Sequence, residues 1–168
     1  MPDGEGFTSG EFRKALGSFA TGVTVVTTCG ESDAYGMTAN AFSSVSLDPP
    51  LVLVCVKSSA VGREYITTNG VFAINILASD QEALSRYFSS KTRPRGPHAF
   101  AEVAHCNATS GSPILEHVAG YLDCRLRATH HAGDHHIIIG EVIDLGFASD
   151  LEPLLFHAGR YRYVQADA

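Results

Sequence analysis

From Tyr121 the chain alternates strictly in polarity: Leu122, Cys124, Leu126 and Ala128 point one way, and Asp123, Arg125, Arg127 and Thr129 point the other. A period of two is the signature of an antiparallel strand with one face toward a core and one toward water. Ala132-Gly133-Asp134 supplies the turn. His135 to Phe147 then returns as a strand apolar on both faces around Ile137, Ile138 and Ile139. The remaining strand segments fit around this long hairpin. Val23 to Thr28 is β-branched throughout and turns through the polar stretch Gly30 to Asp33 into a partner strand. Leu51 to Val56 follows a turn at Asp48-Pro49-Pro50, Val71 to Leu77 reads as a buried strand, and Leu154 to His157 and Tyr161 to Val164 close the chain as short strands. Many strands joined by short turns, with helices only at the margins, predict an antiparallel barrel rather than an alternating βαβ fold.

Three helices are expected. Thr8 and Glu11 form a capping box, with Phe7 and Phe12 as the hydrophobic staple. Phe12, Leu16 and Phe19 share a face, which predicts a helix lying against a sheet and ending at Gly22. Ser58-Ser59 are placed to cap a short helix through Tyr65 to Thr68, stopped by Asn69-Gly70. Ser79 and Glu82 predict a second capping box, opening a helix with Leu84 and Phe88 on one face, followed by a basic, Pro-broken and mobile loop from Lys91 to Pro97.

At 168 residues with no Pro/Ser-rich linker or charge block, residues 1–168 are expected to form one domain. A formal charge of −6 argues against a general nucleic-acid binder, which normally carries a basic face. The apolar runs are too short to span a bilayer, and the opening MPDGEGF has neither the basic nor the apolar region of a signal peptide, so a cytoplasmic protein without a membrane partner is expected. Cys29, Cys55, Cys106 and Cys124 have no zinc-like spacing and read as free, mostly buried thiols. His130-His131 and His135-His136 face each other across the hairpin turn, but no carboxylate or cysteine stands at a familiar ligand spacing, and no metal is expected. Gly17 to Gly22 has the outer spacing of a phosphate-binding loop, but Val23-Thr24 stands where Lys and Ser/Thr are required; no GxGxxG follows a strand.

The stretch with the most specific chemistry is Ala34 to Ser59. Thr38, Ala39, Asn40, Ser43, Ser44 and Ser46 crowd before an apolar strand that has no need of so many hydroxyls. Small side chains let a ligand approach the backbone, and hydroxyls with free N–H groups hold a phosphate or a flat heteroaromatic edge. An ordinary Ser/Thr-rich edge strand is the alternative reading of these residues taken alone.

Five ordered motifs decide between the two. FRKALGSFATGVTVVTT (Phe12 to Thr28), GMTANAFSSVSLDPPLVLVCV (Gly36 to Val56), FAINIL (Phe72 to Leu77), GDHHIIIGEV (Gly133 to Val142) and FHAGRY (Phe156 to Tyr161) together resemble the short-chain flavin reductases. These are the NAD(P)H:flavin oxidoreductases that supply reduced flavin to two-component monooxygenases. The resemblance implies a mainly β fold with peripheral helices, a Greek-key split β-barrel of the FMN-binding kind, forming a homodimer with flavin near the subunit interface. It implies FMN or FAD as cofactor, NADH or NADPH as hydride donor, and a flavin-dependent monooxygenase as partner. Carried over, Thr38, Ala39 and Asn40 contact the isoalloxazine and ribityl chain, with Ser43 and Ser44 in the same segment. Cys55, Val56 and Lys57 flank the flavin on its other side, and Ser58 and Ser59 reach for the phosphate with Lys57 as charge partner. His135, in the pattern D-H-x-I-x-x-G-x-V, falls in the nicotinamide pocket as the candidate catalytic residue. His157 and Tyr161 match the closing H-x-G-x-Y motif, either as cofactor contacts or as closure of the barrel. Two rivals stay open on the same barrel: a flavin-binding sensor or carrier that does not use nicotinamide, and a fixed-flavin oxidase of an organic substrate.

Overall fold

The computed structural model describes residues 6–30, 33–94 and 96–164. In chain order these form α1 (Ser9–Gly17), β1 (Thr21–Gly22), β2 (Thr24–Cys29), β3 (Ala34–Ala39), β4 (Phe42–Leu47), β5 (Pro50–Lys57), α2 (Val61–Asn69) and β6 (Val71–Ile76). There follow α3 (Glu82–Ser89), a 3-10 turn at Gly96–His98, β7 (His105–Asn107), β8 (Pro113–Leu115), β9 (Gly120–Ala132), β10 (His135–Phe147), β11 (Leu155–His157) and β12 (Arg160–Arg162). The opening segment Met1 to Glu5 and part of the turn between Gly30 and Asp33 lie outside the described residues; Gly30 N–H donates to the Asp33 carbonyl at 3.0 Å and closes that turn.

The main sheet has seven antiparallel strands in the order β3-β2-β6-β9-β10-β5-β4. The chain leaves the sheet after β5 at one side and re-enters at β6 in its middle, the crossing expected of a Greek key. The sheet curls so that β3 comes to face β5, yet among the described residues no ladder joins β3 to β5 or β4. The barrel is split there. A small sheet, β1-β11-β12, and the pair β7-β8 close the remaining sides.

Alternation decides which side chains fill it. β2 sends Val26 inside, against Val54, Phe72, Ile74, Cys124 and Ile138, and sends Val25 outward to a second core with Leu77, Phe88, Phe100, Leu115 and Leu154 under α3. Both faces of β2 are therefore buried from Thr24 to Thr28, a stretch that is β-branched at every position. Burial and the neighbouring Asp123 push the Cys124 thiol up to about 12, so it packs as a small hydrophobe. The four cysteines are free: Cys124 is buried, Cys29 and Cys55 are half-buried, and Cys106 is exposed.

Several local expectations are corrected. The capping box at Thr8 is present, with Glu11 Oε2 accepting from Thr8 N–H at 2.8 Å, and Phe7 and Phe12 pack at 5.4 Å. The helix nevertheless stops at Gly17, with Ser18 as C-cap, and Gly22 belongs to β1. The expected face does not pack on a sheet among the described residues: Leu16 is 58% exposed, and Phe19, beyond the helix end, is 76% exposed. Ser58 and Ser59 do not cap α2, whose N-cap is Ala60, because Ser58 is bonded to the β9–β10 turn. Gln81, not Ser79, stands at the start of α3; its side chain accepts from Ala78 N–H and donates to the Glu116 carbonyl, while Glu82 pairs with Arg86 and Tyr163. The alternation of β9 holds except at Asp123, which is fully buried because its carboxylate accepts from Ser110 N–H at 2.8 Å and Ser110 Oγ at 2.5 Å. The last strand ends at Arg162. The loop after α3 is anchored by Arg93, whose guanidinium donates to the carbonyls of Ser90 and Gly36.

Gly36 shows how tightly β3 seats on α3. A Cβ there would stand 2.5 Å from Phe88 Cε1 and 3.1 Å from Phe100 Cζ, both on buried rings. Gly36→Ala is expected to destabilise the protein by roughly 1–3 kcal/mol through overpacking, read as a lowered midpoint of thermal unfolding. An unchanged midpoint would mean that the rings yield freely.

Candidate active site

The split between β3 and β5 opens into a cleft of about 580 Å³, of a size usual for a cofactor or substrate site. One wall is the end of β3 and the turn after it, Met37 to Ala41; the other is the end of β5, Cys55 to Lys57, with Ser59, Ala60 and Val61 leading into α2. Phe88 and Ser89 of α3, Lys91 and Arg93 of the following loop, and His135 complete the lining. The composition is uneven: methyl groups and small side chains on the walls, three cations at the rim, and no carboxylate among the described lining residues. In a chain of net charge −6 this concentrates positive potential where a ligand enters.

Of the residues singled out from sequence, the structure brings together Thr38, Ala39, Asn40, Cys55, Val56, Lys57, Ser59 and His135 around this cleft. Thr38 Oγ1 donates to the Ser85 carbonyl at 2.6 Å, and the Ala39 carbonyl accepts from Thr24 Oγ1 at 2.6 Å, so the β3 wall is held from both sides. Val56 belongs to the barrel core and forms the floor, while Cys55 and Lys57 alternate to the other face. His135 is brought to the cleft by the ladder, since it is the register partner of Lys57. Its Nδ1 lies 2.7 Å from Asp134 Oδ1, and that hydrogen bond holds the Asp134 carboxyl below its ordinary range. A carboxylate can only accept, so Nδ1 donates in this bond, and in the tautomer that carries its proton there Nε2 is an acceptor.

Five of the residues singled out from sequence are not in the lining of the cleft. Ser43 and Ser44 pair with Leu53 and Val52, farther along the β4–β5 ladder, and are exposed. Tyr161 OH lies 2.9 Å from Ser85 Oγ of α3, and His157 is half-buried in the neighbouring strand β11. Ser58 lines no part of the cleft either: its N–H donates to the Asp134 carbonyl at 2.9 Å and its hydroxyl lies 3.1 Å from His136 Nδ1. Partial burial, with Arg63 and His131 nearby, pushes the His136 imidazole below its ordinary value; its ring meets that of His131 edge-on at 5.1 Å. No group of three or more His, Cys, Asp or Glu side chains suited to a metal occurs among the described residues.

Sequence reasoning missed the third side of the cleft. Lys91 and Arg93 come from a loop with no strand periodicity, and Phe88 was visible only as one side of a helix. Their common position depends on Arg93, whose guanidinium lies 5.0 Å from the Tyr35 ring centroid while bonding Gly36 of the same strand. Tyr35 in turn stacks on Tyr65 of α2 at 4.9 Å. A run of basic residues next to Pro and Gly was the available signal.

A split antiparallel barrel with a cationic cleft between β3 and β5 defines the class, and the chain belongs to the flavin reductase-like family: the flavin reductase like domain matches residues 16–165. It is 41% identical over 159 residues to the NADH-dependent FAD reductase of Streptomyces globisporus, covering 94% of this chain and 87% of that protein. It is 36% identical over 156 residues to the reductase subunit HsaB of a flavin-dependent monooxygenase from Rhodococcus jostii, covering 93% and 78%. The structure is similar to that of the NADH:FAD oxidoreductase SgcE6 of Streptomyces globisporus C-1027, solved in complex with NAD and FAD fragments. There the TM-score is 0.88 at 39% identity, covering 94% of this chain and 93% of that one.

Proposed function

We propose that this protein is an NAD(P)H-dependent flavin reductase that transfers hydride from NADH or NADPH to FMN or FAD and supplies the reduced flavin to a monooxygenase component. The observation that carries the reading is the cleft itself. Its apolar surfaces at Met37, Val56, Val61 and Phe88 suit a flat ring system, its small residues Ala39, Ala41 and Ala60 admit close approach to the backbone, and Lys57 and Lys91 suit phosphate groups. The residues present therefore fit a flavin.

Hydride acceptance is the chemistry the flavin supplies when bound. The chain's own work is binding and orientation. When flavin is bound, the walls at Thr38 to Asn40 and Cys55 to Lys57 would hold its ring system, and Ser59 and Lys57 would hold its phosphate. Arg93, engaged with the Ser90 and Gly36 carbonyls and with Tyr35, keeps the third wall in place. His135 sits at the rim with its tautomer set by Asp134 and offers Nε2 to the nicotinamide carboxamide N–H, orienting the donor without taking a proton. Nothing in this scheme needs a nucleophile.

We further place the protein in the cytoplasm, as one domain and as a homodimer. Four free thiols fit a reducing compartment. The dimer reading rests on Phe12 and Leu16 of α1 and on Phe19 just after it, which are exposed among the described residues, as are Leu145 and Phe147 at the end of β10. No helix is long and apolar enough to cross a membrane among the described residues.

The purified protein is expected to oxidise NADH or NADPH catalytically when FMN or FAD is added, followed as loss of nicotinamide absorbance; silence with all four pairings overturns the reading. His135→Ala is expected to lower kcat/KM for the nicotinamide roughly five- to tenfold, the worth of one hydrogen bond, while leaving the flavin Kd near the wild-type value. Unchanged kinetics per folded molecule would remove His135 from the site. Light scattering at micromolar concentration is expected to return the mass of two chains, and a monomeric mass would leave the α1 face without its partner.

A further inference from the structure

We propose that Tyr161 is a positioning residue for the flavin, acting through Ser85 on Thr38; this rests on the reading of the cleft as a flavin site. Tyr161 is on β12, is not among the residues lining the cleft, and is connected to the cleft wall through two hydrogen bonds. Its hydroxyl lies 2.9 Å from Ser85 Oγ, and the Ser85 carbonyl accepts from Thr38 Oγ1 at 2.6 Å. Ser85 is fully buried, so neither of its polar groups has water as an alternative. The tyrosine ring is itself held, edge-on to Phe156 at 5.5 Å and with the Arg86 guanidinium 4.9 Å from its centroid; Arg86 is fixed by Glu82 at 2.7 Å.

The consequence is chemical as well as mechanical. A hydroxyl has one proton to give and two lone pairs to accept with. The Thr38 proton is committed to the Ser85 carbonyl, so toward the cleft Thr38 is an acceptor only. That matches a ring N–H of a flat heterocycle and disfavours a carbonyl oxygen at the same place. Without the tyrosine hydroxyl, Ser85 Oγ has no partner in its buried position and turns back to the carbonyl of Gln81, four residues earlier. That carbonyl already accepts Ser85 N–H at 3.2 Å, so the competition shifts the helix at Ser85 and moves the acceptor that orients Thr38.

A double-mutant cycle tests this on binding, apart from turnover. FMN Kd is measured by fluorescence titration for the wild type, Tyr161→Phe, Thr38→Val and the double variant, with thermal midpoints of the flavin-free proteins alongside. Tyr161→Phe is expected to weaken FMN binding roughly three- to tenfold with a small change in midpoint, and to add nothing in the Thr38→Val background, because the effect travels through Thr38. FMN binding unchanged in Tyr161→Phe, or an equal loss with and without Thr38, overturns the proposal while leaving the functional reading intact. Should Tyr161→Phe fail to fold, Tyr161→Phe/Ser85→Ala, which lacks the orphaned hydroxyl, is compared with Ser85→Ala alone: equal FMN Kd values support a route through Ser85, and a further loss overturns it. A wild type that binds neither FMN nor FAD overturns the functional reading, and the positioning role falls with it.

Discussion

β10 is hydrogen-bonded along both of its edges, to β9 on one side and to β5 on the other, and the rest of the molecule depends on that double pairing. The register that sets His135 opposite Lys57 also sets Ile138 opposite Val54, and Ile138 and Val54 are fully buried in the barrel core. A slip of one residue would expel Ile138 and turn His135 to the other face. Core packing thus enforces the placement of the cleft residues, at no added cost in conformational entropy. The two bulges in the β9–β10 ladder, between Ile139 and Gly140 and between Val142 and Asp144, bend the hairpin as a curled sheet requires.

The cleft exists because the barrel does not close. β3 and β5 face each other without exchanging backbone bonds, so small side chains and main-chain groups remain open to a ligand. Such a gap needs support from outside the sheet, and α3 provides it. The helix packs Phe88 into the outer core, fills the space above Gly36, receives the Thr38 hydroxyl and is itself fastened to the C-terminal strands through Tyr161. One element therefore carries both the packing of the second core and the shape of the binding wall.

Charge follows the same division. The chain is acidic as a whole, yet the described lining of the cleft carries Lys57, Lys91 and Arg93 and no carboxylate. An anionic dinucleotide is repelled by most of the surface and drawn to one opening, which favours productive encounters over adsorption elsewhere. Arg93 differs from the two lysines in that two of its five N–H donors are bonded to the Ser90 and Gly36 carbonyls, so it also shapes the opening.

The strand plan was legible in the sequence because its physical cause is local. Period-two alternation in Tyr121 to Thr129, β-branching in Val23 to Thr28 and the Gly133 turn act within a few residues of one another, and ordered motifs carried the family. The segments Thr38 to Asn40 and Cys55 to Lys57, which line the cleft, were reached through the family resemblance, since taken alone their residues read equally as an ordinary Ser/Thr-rich edge strand. What the tertiary structure alone decided depends on partners distant in the chain. The Ser58 hydroxyl meets His136 rather than capping α2, Asp123 is buried because Ser110 comes to meet it, and Ser43 and Ser44 pair with Leu53 and Val52, outside the lining of the cleft. Lys91 and Arg93 form a wall only because a guanidinium finds Gly36, 57 residues away, and the role of Tyr161 passes through a helix 76 residues earlier. Hydrogen-bond partners of that separation leave no periodicity in a sequence, since it is the fold that brings them within 3 Å of each other.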